Sequence, residues 1–239
     1  MNYLESSRIL RIATREGGVR SVIAKGVRTS RKRFGNAVDL FAQGTAQLYV
    51  KPGRDLDTLS AFDVSHPRPG LALDLDRFSG ASAIAELVMR CTRDASDASL
   101  FDELSQVLDD ISLAAPHDAA RVALRGAWRI VAALGVAPSL DACIECGTQL
   151  APDEPARFHH PGGGVLCVKC ARLFAGGRLL PPAARSALRE WTEGGDAPIS
   201  EPAELRAHQR LLREFLAEHL ADGRPLKAFE AWERGWSAA

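Results

Sequence analysis

The sequence predicts an α+β protein of more than one domain: a small N-terminal β-barrel, then a helical domain with a four-cysteine module inserted in it. Short runs of branched apolar residues occupy residues 8–65, and apolar residues at helical spacing occupy most of the rest. Four of the five cysteines form two close pairs between the helical stretches. With 239 residues, 46% of them apolar, the chain can supply two or three small cores.

The first quarter of the chain has the pattern of short strands. Residues 8–14 and 19–25 are rich in branched apolar side chains and flank Gly17 and Gly18, so they predict a β-hairpin. Three further strands are predicted at residues 38–42, 46–50 and 56–62. Strands this short and this closely spaced suggest a small barrel.

Helices are predicted beyond residues 66–70, where two prolines and a glycine end the strands. Ser79 is placed as the cap of the first helix, whose apolar stripe ends at Cys91, interpreted as a small core residue. Ser99 is placed at the start of the second helix as part of a capping box. The third, over about 118–134, is apolar around much of its circumference and is predicted to be the central buried helix.

Two more helices are predicted after the cysteine module. Pro181 and Pro182 begin a short one, and Ser200 with Pro202 begins a long one that Gly223 ends. The segment after Gly223, residues 224–229, adds two more cations.

The cysteine pairs have the spacing of a metal site. Two residues separate Cys143 from Cys146 and Cys167 from Cys170, and twenty residues lie between the pairs. A C-x2-C turn aims both sulfurs at one point, and Zn²⁺ is bound by soft ligands at tetrahedral corners. We therefore predict a structural zinc ion with these four ligands, because a full thiolate shell leaves no position for a catalytic water.

Other interpretations of these residues remain open. Some of the cysteines could be merely buried or reactive, and a rubredoxin-type iron site uses the same two knuckles. The pair His159 and His160 could also replace one cysteine ligand.

The charge of the chain is zero overall but not locally. Lysine plus arginine and aspartate plus glutamate number 30 each, whereas residues 8–54 hold eleven basic residues against only Glu16 and Asp39. The densest stretch runs from Lys25 to Phe34. Because nucleic-acid affinity comes mostly from neutralising phosphates, this surplus predicts a nucleic-acid surface, with a solvated basic loop as the alternative.

Other charged and aromatic residues qualify this prediction. Phe34 and Tyr49 could stack bases, although either aromatic alone is more typical of a core. Seven carboxylates lie between Glu86 and Asp110 against two arginines, so the helical region is acidic. In residues 201–239, six basic residues meet seven acidic ones, which favours a solvated face over a second DNA surface.

The sequence lacks the motifs of common catalytic sites. It has no P-loop, no G-x-S-x-G nucleophile elbow and no H-x-E of a zinc deaminase, so an enzyme is not expected. No apolar run is long enough to cross a membrane, and the start shows no signal-peptide pattern. The expected location is the reducing cytoplasm, where paired cysteines bind metal more often than they form disulfides.

Several stretches together resemble the RecO family of bacterial recombination mediators. They are spread over nearly the whole chain in the family's order, and the most specific is the run into the first cysteine pair. The matching stretches are residues 14–18, 22–28, 40–41, 86–87, 134–143 and 223–227.

The resemblance implies an OB-fold, a helical domain and an inserted zinc finger. It also implies binding of single- and double-stranded DNA, annealing of complementary strands, and loading of RecA with RecR onto SSB-coated DNA. A site for the C-terminal tail of SSB would lie among the helices. The DNA-binding role would fall on Lys25, Arg28, Arg31, Lys32 and Arg33.

The expected domains follow this scheme. The OB barrel would span residues 1–66, and the helical domain would span 67–139. The zinc module would span 140–175, and a C-terminal helical part, at 176–239, would pack on the helical domain.

One departure from the family concerns the first strand. Family members begin with a strand that precedes the stretch corresponding to residues 3–10 of this chain. In this chain, Met1 falls where the loop after that strand should be. We therefore expect the first barrel strand to be missing, through a start codon assigned too late, which would leave a sheet edge open.

Two other functions fit the residues taken alone. One is a zinc-ribbon factor that binds RNA or the ribosome. The other is a non-catalytic adaptor for protein interactions, in which the basic barrel would be incidental.

Overall fold

A five-stranded sheet, six α-helices and a smaller sheet beside the cysteines make up the part of the chain that the structure describes. The structure is a computed structural model. It describes residues 2–3, 7–27, 39–51, 53, 55–92, 97–199, 201–220 and 224–235. The larger sheet comes first in the chain and the helices follow, so the predicted α+β class is confirmed.

The N-terminal sheet has the connectivity of an OB-fold. Its strands are β1 (Asn2–Tyr3), β2 (Ser7–Thr14), β3 (Gly18–Ala24), β4 (Gln43–Tyr49) and β5 (Asp57–His66). Their order is β1-β2-β3-β5-β4, and all neighbours are antiparallel except β3 and β5, which are parallel. The hairpin predicted at Gly17 and Gly18 is formed by β2 and β3.

The first strand is present in this sheet but short. β1 has two residues, whereas the other four strands have seven to ten. It pairs with the start of β2, where Tyr3 lies opposite Ser7. The structure therefore has a short first strand where a missing strand was expected. The hypothesis of a late start codon stays a prediction.

The prediction of a strand at residues 38–42 is wrong for those residues of the range that the structure describes. Those residues form a turn in which Phe41 has a φ of 67° and its carbonyl accepts a hydrogen bond from Arg68 at 2.8 Å. Strand β4 begins after this turn and passes through Gly44. A side chain there would meet the backbone of Asp63, whose carbonyl oxygen lies 2.1 Å from an ideal Cβ position.

The barrel has a small core of its own. Val22, Ala24 and Leu59 are at most 2% exposed and pack together on the inner face. Arg20 and Asp57 lie on the same inner face, where their ion pair measures 2.8 Å. The pair keeps the buried Asp57 carboxylate from being left without a counter-charge.

Helix α3 is the centre of the helical domain. The helices are α1 (Leu75–Cys91), α2 (Ala98–Leu113), α3 (Ala119–Ala133), α4 (Pro182–Thr192), α5 (Pro202–His219) and α6 (Lys227–Arg234). Helix α3 packs against α1, α2, α4 and α5, and its Trp128 and Ile130 are fully buried. The predicted central helix is confirmed, with Gly135 at a φ of 76° just after it.

The predicted caps of the first two helices are wrong. Helix α1 is capped by Asp74, which accepts a hydrogen bond from a first-turn N–H at 2.9 Å. Ser79 lies inside that helix, where its hydroxyl donates to a backbone carbonyl. Helix α2 is capped by Asp97, which accepts from the N–H of Ser99 at 2.9 Å. Aspartate and serine are equally good caps, so residue type alone does not choose between neighbouring candidates.

The cap of α6 comes from another helix, because Leu226 at its N-cap supplies no side-chain hydrogen bond. The carboxylate of Glu86 on α1 accepts from the first three N–H groups of α6, at 3.0, 2.7 and 3.3 Å. One turn further along α1, Arg90 donates to the carbonyl of Pro225 at 2.7 Å. Phe229 and Trp232 of α6 then pack into the main core.

The barrel docks on the helical domain through a buried arginine. Arg68 is 8% exposed and follows β5. Its guanidinium donates to Asp109 of α2 at 2.7 Å, to the hydroxyl of Ser105 at 2.8 Å, and to the side chain of Gln43 on β4 at 3.0 Å. Partial burial disfavours the Asp109 carboxylate, but hydrogen bonds from Arg68 and His66 outweigh it and hold the pKa of that carboxyl below its ordinary value.

We expect Arg68→Ala to lower the free energy of unfolding by about 3 kcal/mol, because it leaves buried acceptors without their charged partner. Arg15→Ala is the matched control. Arg15 also joins the barrel to α2, through Asp102, but both side chains are about half exposed, so its loss should cost under about 1 kcal/mol. Urea denaturation measures both variants, and equal losses would contradict the importance given to burial.

His208 is a buried titratable group on α5. It is 5% exposed, and its ring packs edge-on against Trp191 with centroids 4.9 Å apart. Burial lowers the pKa of His208 to about 4, because protonation would place a charge in an apolar site.

Acid should therefore destabilise the fold through His208. The unfolded chain takes up this proton near pH 6.5 and the folded protein near pH 4, so stability is intact above about pH 7 and is lost as the pH falls between these values. Between pH 7 and pH 5 the loss is about 2 kcal/mol. We expect His208→Gln to remove that part of the pH dependence of unfolding, while the exposed control His117→Gln keeps it. A slope unchanged in His208→Gln would refute the assignment.

Candidate metal centre and nucleic-acid face

The two cysteine pairs converge on one point. The sulfurs of Cys143, Cys146, Cys167 and Cys170 all lie within 4.8 Å of one another, and Cys146 Sγ is 3.9 Å from Cys167 Sγ. Four thiolates around a tetrahedral zinc ion, at about 2.3 Å from it, are about 3.8 Å apart. The group therefore has the ligand number and the spacing to hold a metal ion.

Tight turns place these sulfurs. After the first pair, the N–H of Gly147 donates to the carbonyl of Cys143 at 2.9 Å, and Gly147 has a φ of 71°, which a residue with a side chain resists. In the second pair, the N–H of Cys170 donates to Cys167 Sγ at 3.5 Å. Both turns thus point a cysteine pair inwards.

Local hydrogen bonds favour the thiolate at two of the positions. The hydroxyl and the N–H of Thr148 lower the pKa of Cys146 to about 6. Burial disfavours the Cys143 thiolate, but backbone N–H groups outweigh it and lower the pKa of that thiol. At Cys170, the bond with Cys146 and burial raise the pKa to about 12. Metal binding at such a site is coupled to proton release.

A three-stranded sheet packs the cysteine cluster against the helical domain. Its strands are β6 (Ala156–His159), β7 (Gly164–Leu166) and β8 (Arg178–Leu180), in the order β7-β6-β8. Fully buried Phe158 of β6 packs against Phe215 of α5, with ring centroids 6.0 Å apart. Glu214 of α5 pairs with Arg178 of β8. Because β8 pairs with β6, the sheet extends to Leu180.

The adjacent histidines are engaged away from the sulfurs. Within the described ranges, the group with ligand spacing comprises the four cysteines alone. His159 Nδ1 accepts a hydrogen bond from Gly162 at 3.1 Å, and His160 Nε2 lies 2.9 Å from Glu214. The geometry therefore gives the cysteines, and not this histidine pair, the position of ligands.

Only one of the predicted DNA-binding residues lies in the part of the chain that the structure describes. Lys25 is exposed in the turn that follows β3. The other four lie outside the described residues: Arg28, Arg31, Lys32 and Arg33.

Three other cations of the predicted basic surface serve the fold instead. Arg11 donates to the carbonyl of Met89 on α1 at 2.6 Å. Arg15 forms a two-pronged pair with Asp102, and Arg20 pairs with Asp57 inside the barrel. Among the described residues, three members of the basic surplus are therefore bonded within the fold.

The acidic stretch of the helical region is also used within the fold. Asp110 of α2 accepts from Arg125 and Arg129 of α3, at 2.9 Å each. Glu103 pairs with Arg129 at 2.5 Å, and Glu86 caps α6. These carboxylates hold helices together, so the sequence imbalance does not mark an acidic surface.

The outer face of β4 is exposed. Thr45, Gln47 and Tyr49 point outwards along it, and Tyr49 is 59% exposed. The ammonium of Lys51 lies 5.6 Å from the centre of the Tyr49 ring. The expectation that Tyr49 taken alone is a core residue is wrong, and Phe34 lies outside the described residues.

Comparison with known families covers nearly the whole chain. The family model described as Recombination protein O N terminal matches residues 1–68, and the one described as Recombination protein O C terminal matches residues 72–228. The chain belongs to the RecO family. The resemblance drawn from the sequence is thereby confirmed, and the family is one of DNA repair proteins.

Relatives named DNA repair protein RecO are similar over most of their length. The relative from Anaeromyxobacter dehalogenans (strain 2CP-C) is 38% identical over 237 residues, which cover 95% of this chain and 90% of the relative. That from Rubrobacter xylanophilus is 32% identical over 221 residues, 92% and 86% of the two chains. That from Myxococcus xanthus is 32% identical over 234 residues, 96% and 91%. None of the helices described in this RecO-family chain is long and apolar enough to span a membrane.

Cys143→Ser should abolish metal binding, because serine is a poor ligand and three sulfurs leave the tetrahedral shell incomplete. We expect the metal content, measured by mass spectrometry of the purified protein, to fall from about one ion per chain to near zero. The control is Cys91→Ser, which changes the cysteine outside the cluster and should keep the metal. Limited proteolysis should show new cleavage between residues 140 and 180 in Cys143→Ser only. Unchanged metal content there would contradict the site.

Proposed function

We propose that this protein binds single- and double-stranded DNA, anneals complementary strands and, with RecR, loads RecA onto SSB-coated DNA in recombinational repair. The observation that carries the proposal is a RecO-family chain whose barrel has OB connectivity and continues from β3 into the basic run that starts at exposed Lys25. OB barrels bind oligonucleotides through their outer strands and loops.

The mechanism is non-covalent. Two complementary strands repel each other through their phosphates, and cations along one protein surface lower that repulsion while bases search for their partners. Lys25 and Arg28 are the residues assigned to this task, with Arg31, Lys32 and Arg33 beside them in the sequence. No covalent step is needed, so we propose a mediator and not an enzyme.

The proposed metal is zinc in a structural role. Four cysteine sulfurs with a 3.9 Å contact between the pairs fit its tetrahedral preference, and four thiolates leave no position for water. The residues that would hold it are Cys143, Cys146, Cys167 and Cys170. The ion would keep the two turns together and so hold β6–β8 against α5.

The proposed partners follow from the family. RecR and the C-terminal tail of SSB are protein partners, the latter among the helices, and the protein would work in the cytoplasm on DNA at the nucleoid. The domain scheme given above, with a barrel at residues 1–66 and a metal module at 140–175, stays a prediction.

Charge reversal at Lys25 and Arg28 tests the proposal. We expect Lys25→Glu with Arg28→Glu to weaken DNA binding at least tenfold at low salt and to slow annealing of SSB-coated oligonucleotides, because both phosphate contacts are replaced by repulsion. The affinity of the wild-type protein should fall steeply with salt. The matched control is Arg172→Glu with Arg206→Glu, which makes the same change of charge at exposed positions outside the barrel.

The outcomes separate the candidate functions. Equal loss in both double variants would show that net charge matters and the barrel does not. Preference for RNA over single-stranded DNA of the same sequence would favour an RNA-binding factor. Failure of the wild-type protein to bind DNA even at low salt would favour a protein-interaction adaptor.

A further inference from the structure

We propose that Tyr49 is a base-stacking residue and that single-stranded DNA runs along the exposed outer side of β4 beside it. This inference deepens the proposed function and rests on it. It assigns a route and a contact to the bases, whereas Lys25 and the cations after it contact phosphates.

The sheet register places the Tyr49 ring on the outward side of the sheet. Ile23 of β3 lies opposite Thr58 of β5, and Thr58 lies opposite Tyr49 of β4, so these three side chains point to the same side. Ile23 is only 7% exposed, so this side of the sheet is covered at β3, whereas Tyr49 on β4 is 59% exposed.

This outer side is opposite to the barrel core. Ala24, Leu59 and Leu48 alternate with the residues just named and pack inwards. Along β4 the outward positions Thr45, Gln47 and Tyr49 are all exposed, and Thr58 lies opposite Tyr49 on the neighbouring strand. A base could therefore approach the ring without displacing a bulky neighbour.

The helices cover the part of the barrel that OB-folds commonly use. Ligands of OB-folds bind across strands 2 and 3 and the loops between strands 1 and 2 and strands 4 and 5. In this protein Arg11 of β2 is bonded to the carbonyl of Met89 on α1, and Ala13 packs against the main helical core. The outward side of the β2–β3 hairpin is therefore taken up by the docking of the two domains.

The loop between β4 and β5 stays exposed, and Tyr49 is the residue that leads into it. Val50 is 51% exposed and Lys51 is exposed with its ammonium 5.6 Å from the Tyr49 ring centre. An exposed aromatic ring beside a cation has the two components of single-strand recognition: a stacking surface for any base and a charge for its phosphate.

The carboxylates near this face still allow phosphates to approach the end of β4 that carries Tyr49. Asp63 is exposed on β5, where it lies opposite Thr45 at the far end of β4. Asp57 is buried and paired with Arg20 inside the barrel. Asp55 is exposed, four residues after Lys51 in the sequence.

The test compares two oligonucleotides with the same number of phosphates, one of thymidines and one of abasic sites. The full-length, metal-loaded wild-type protein should bind the thymidine strand more tightly, by about tenfold, because stacking adds to the phosphate contacts. We expect Tyr49→Ala to lose that preference by weakening thymidine binding alone. Tyr49→Phe, which keeps the ring, should retain it within about twofold.

Lys51→Gln gives the complementary signature. It should weaken both oligonucleotides equally and lower the slope of log affinity against log salt by about 0.7, whereas Tyr49→Ala should leave that slope unchanged. The matched control is Gln47→Ala, two residues from Tyr49 on the same outward side of β4, which should change neither measurement. Duplex DNA, whose bases are already stacked, should bind Tyr49→Ala as well as wild type.

Failure of this inference is distinguishable from failure of the proposed function. If the wild-type protein binds neither oligonucleotide at low salt, the proposed DNA binding is wrong and the stacking role is lost with it. If it binds both and Tyr49→Ala keeps the wild-type preference, or weakens duplex and abasic binding as much as thymidine binding, the DNA-binding function stands and the role of Tyr49 is refuted.

Discussion

The buried guanidinium of Arg68 is the group on which the arrangement of barrel and helices depends. A charge that is 8% exposed is tolerated only where its N–H groups are bonded, and here the acceptors come from three places. They are the turn at Phe41, strand β4 through Gln43, and α2 through Ser105 and Asp109. The Arg68 guanidinium makes all of these hydrogen bonds only when the turn, the strand and the helix are in place. The docking of the domains and the shape of the turn before β4 are therefore linked.

Docking also decides which charges remain for nucleic acid. Arg15, which directly follows β2, pairs with Asp102 of α2 across the junction, and the two charges largely cancel there. Lys25 after β3 and Tyr49 with Lys51 at the end of β4 are exposed. A chain of zero net charge can thus present a local cationic face because opposite charges elsewhere are paired within the fold.

The metal module and the last helix show the same dependence on distant partners. The cysteine pairs close one site from two separate turns, and Phe158 then anchors their sheet on α5. Helix α6 begins where Glu86, 141 positions earlier than its first residue, satisfies its free N–H groups. Residues 86–87 and 224–227, two parts of the chain that carry the family resemblance, meet at this contact.

The sequence by itself determined the elements whose signal is local. Periodicity gave the β2–β3 hairpin and the central helix α3, and the C-x2-C spacing gave the metal-binding group, because each depends on residues a few positions apart. Only the tertiary structure decided the capping of α6 by Glu86, the turn at Phe41 and which cations face solvent. Each of these features depends on a hydrogen-bond or charge partner that is distant in the sequence. Such a partner produces no periodic pattern in the chain.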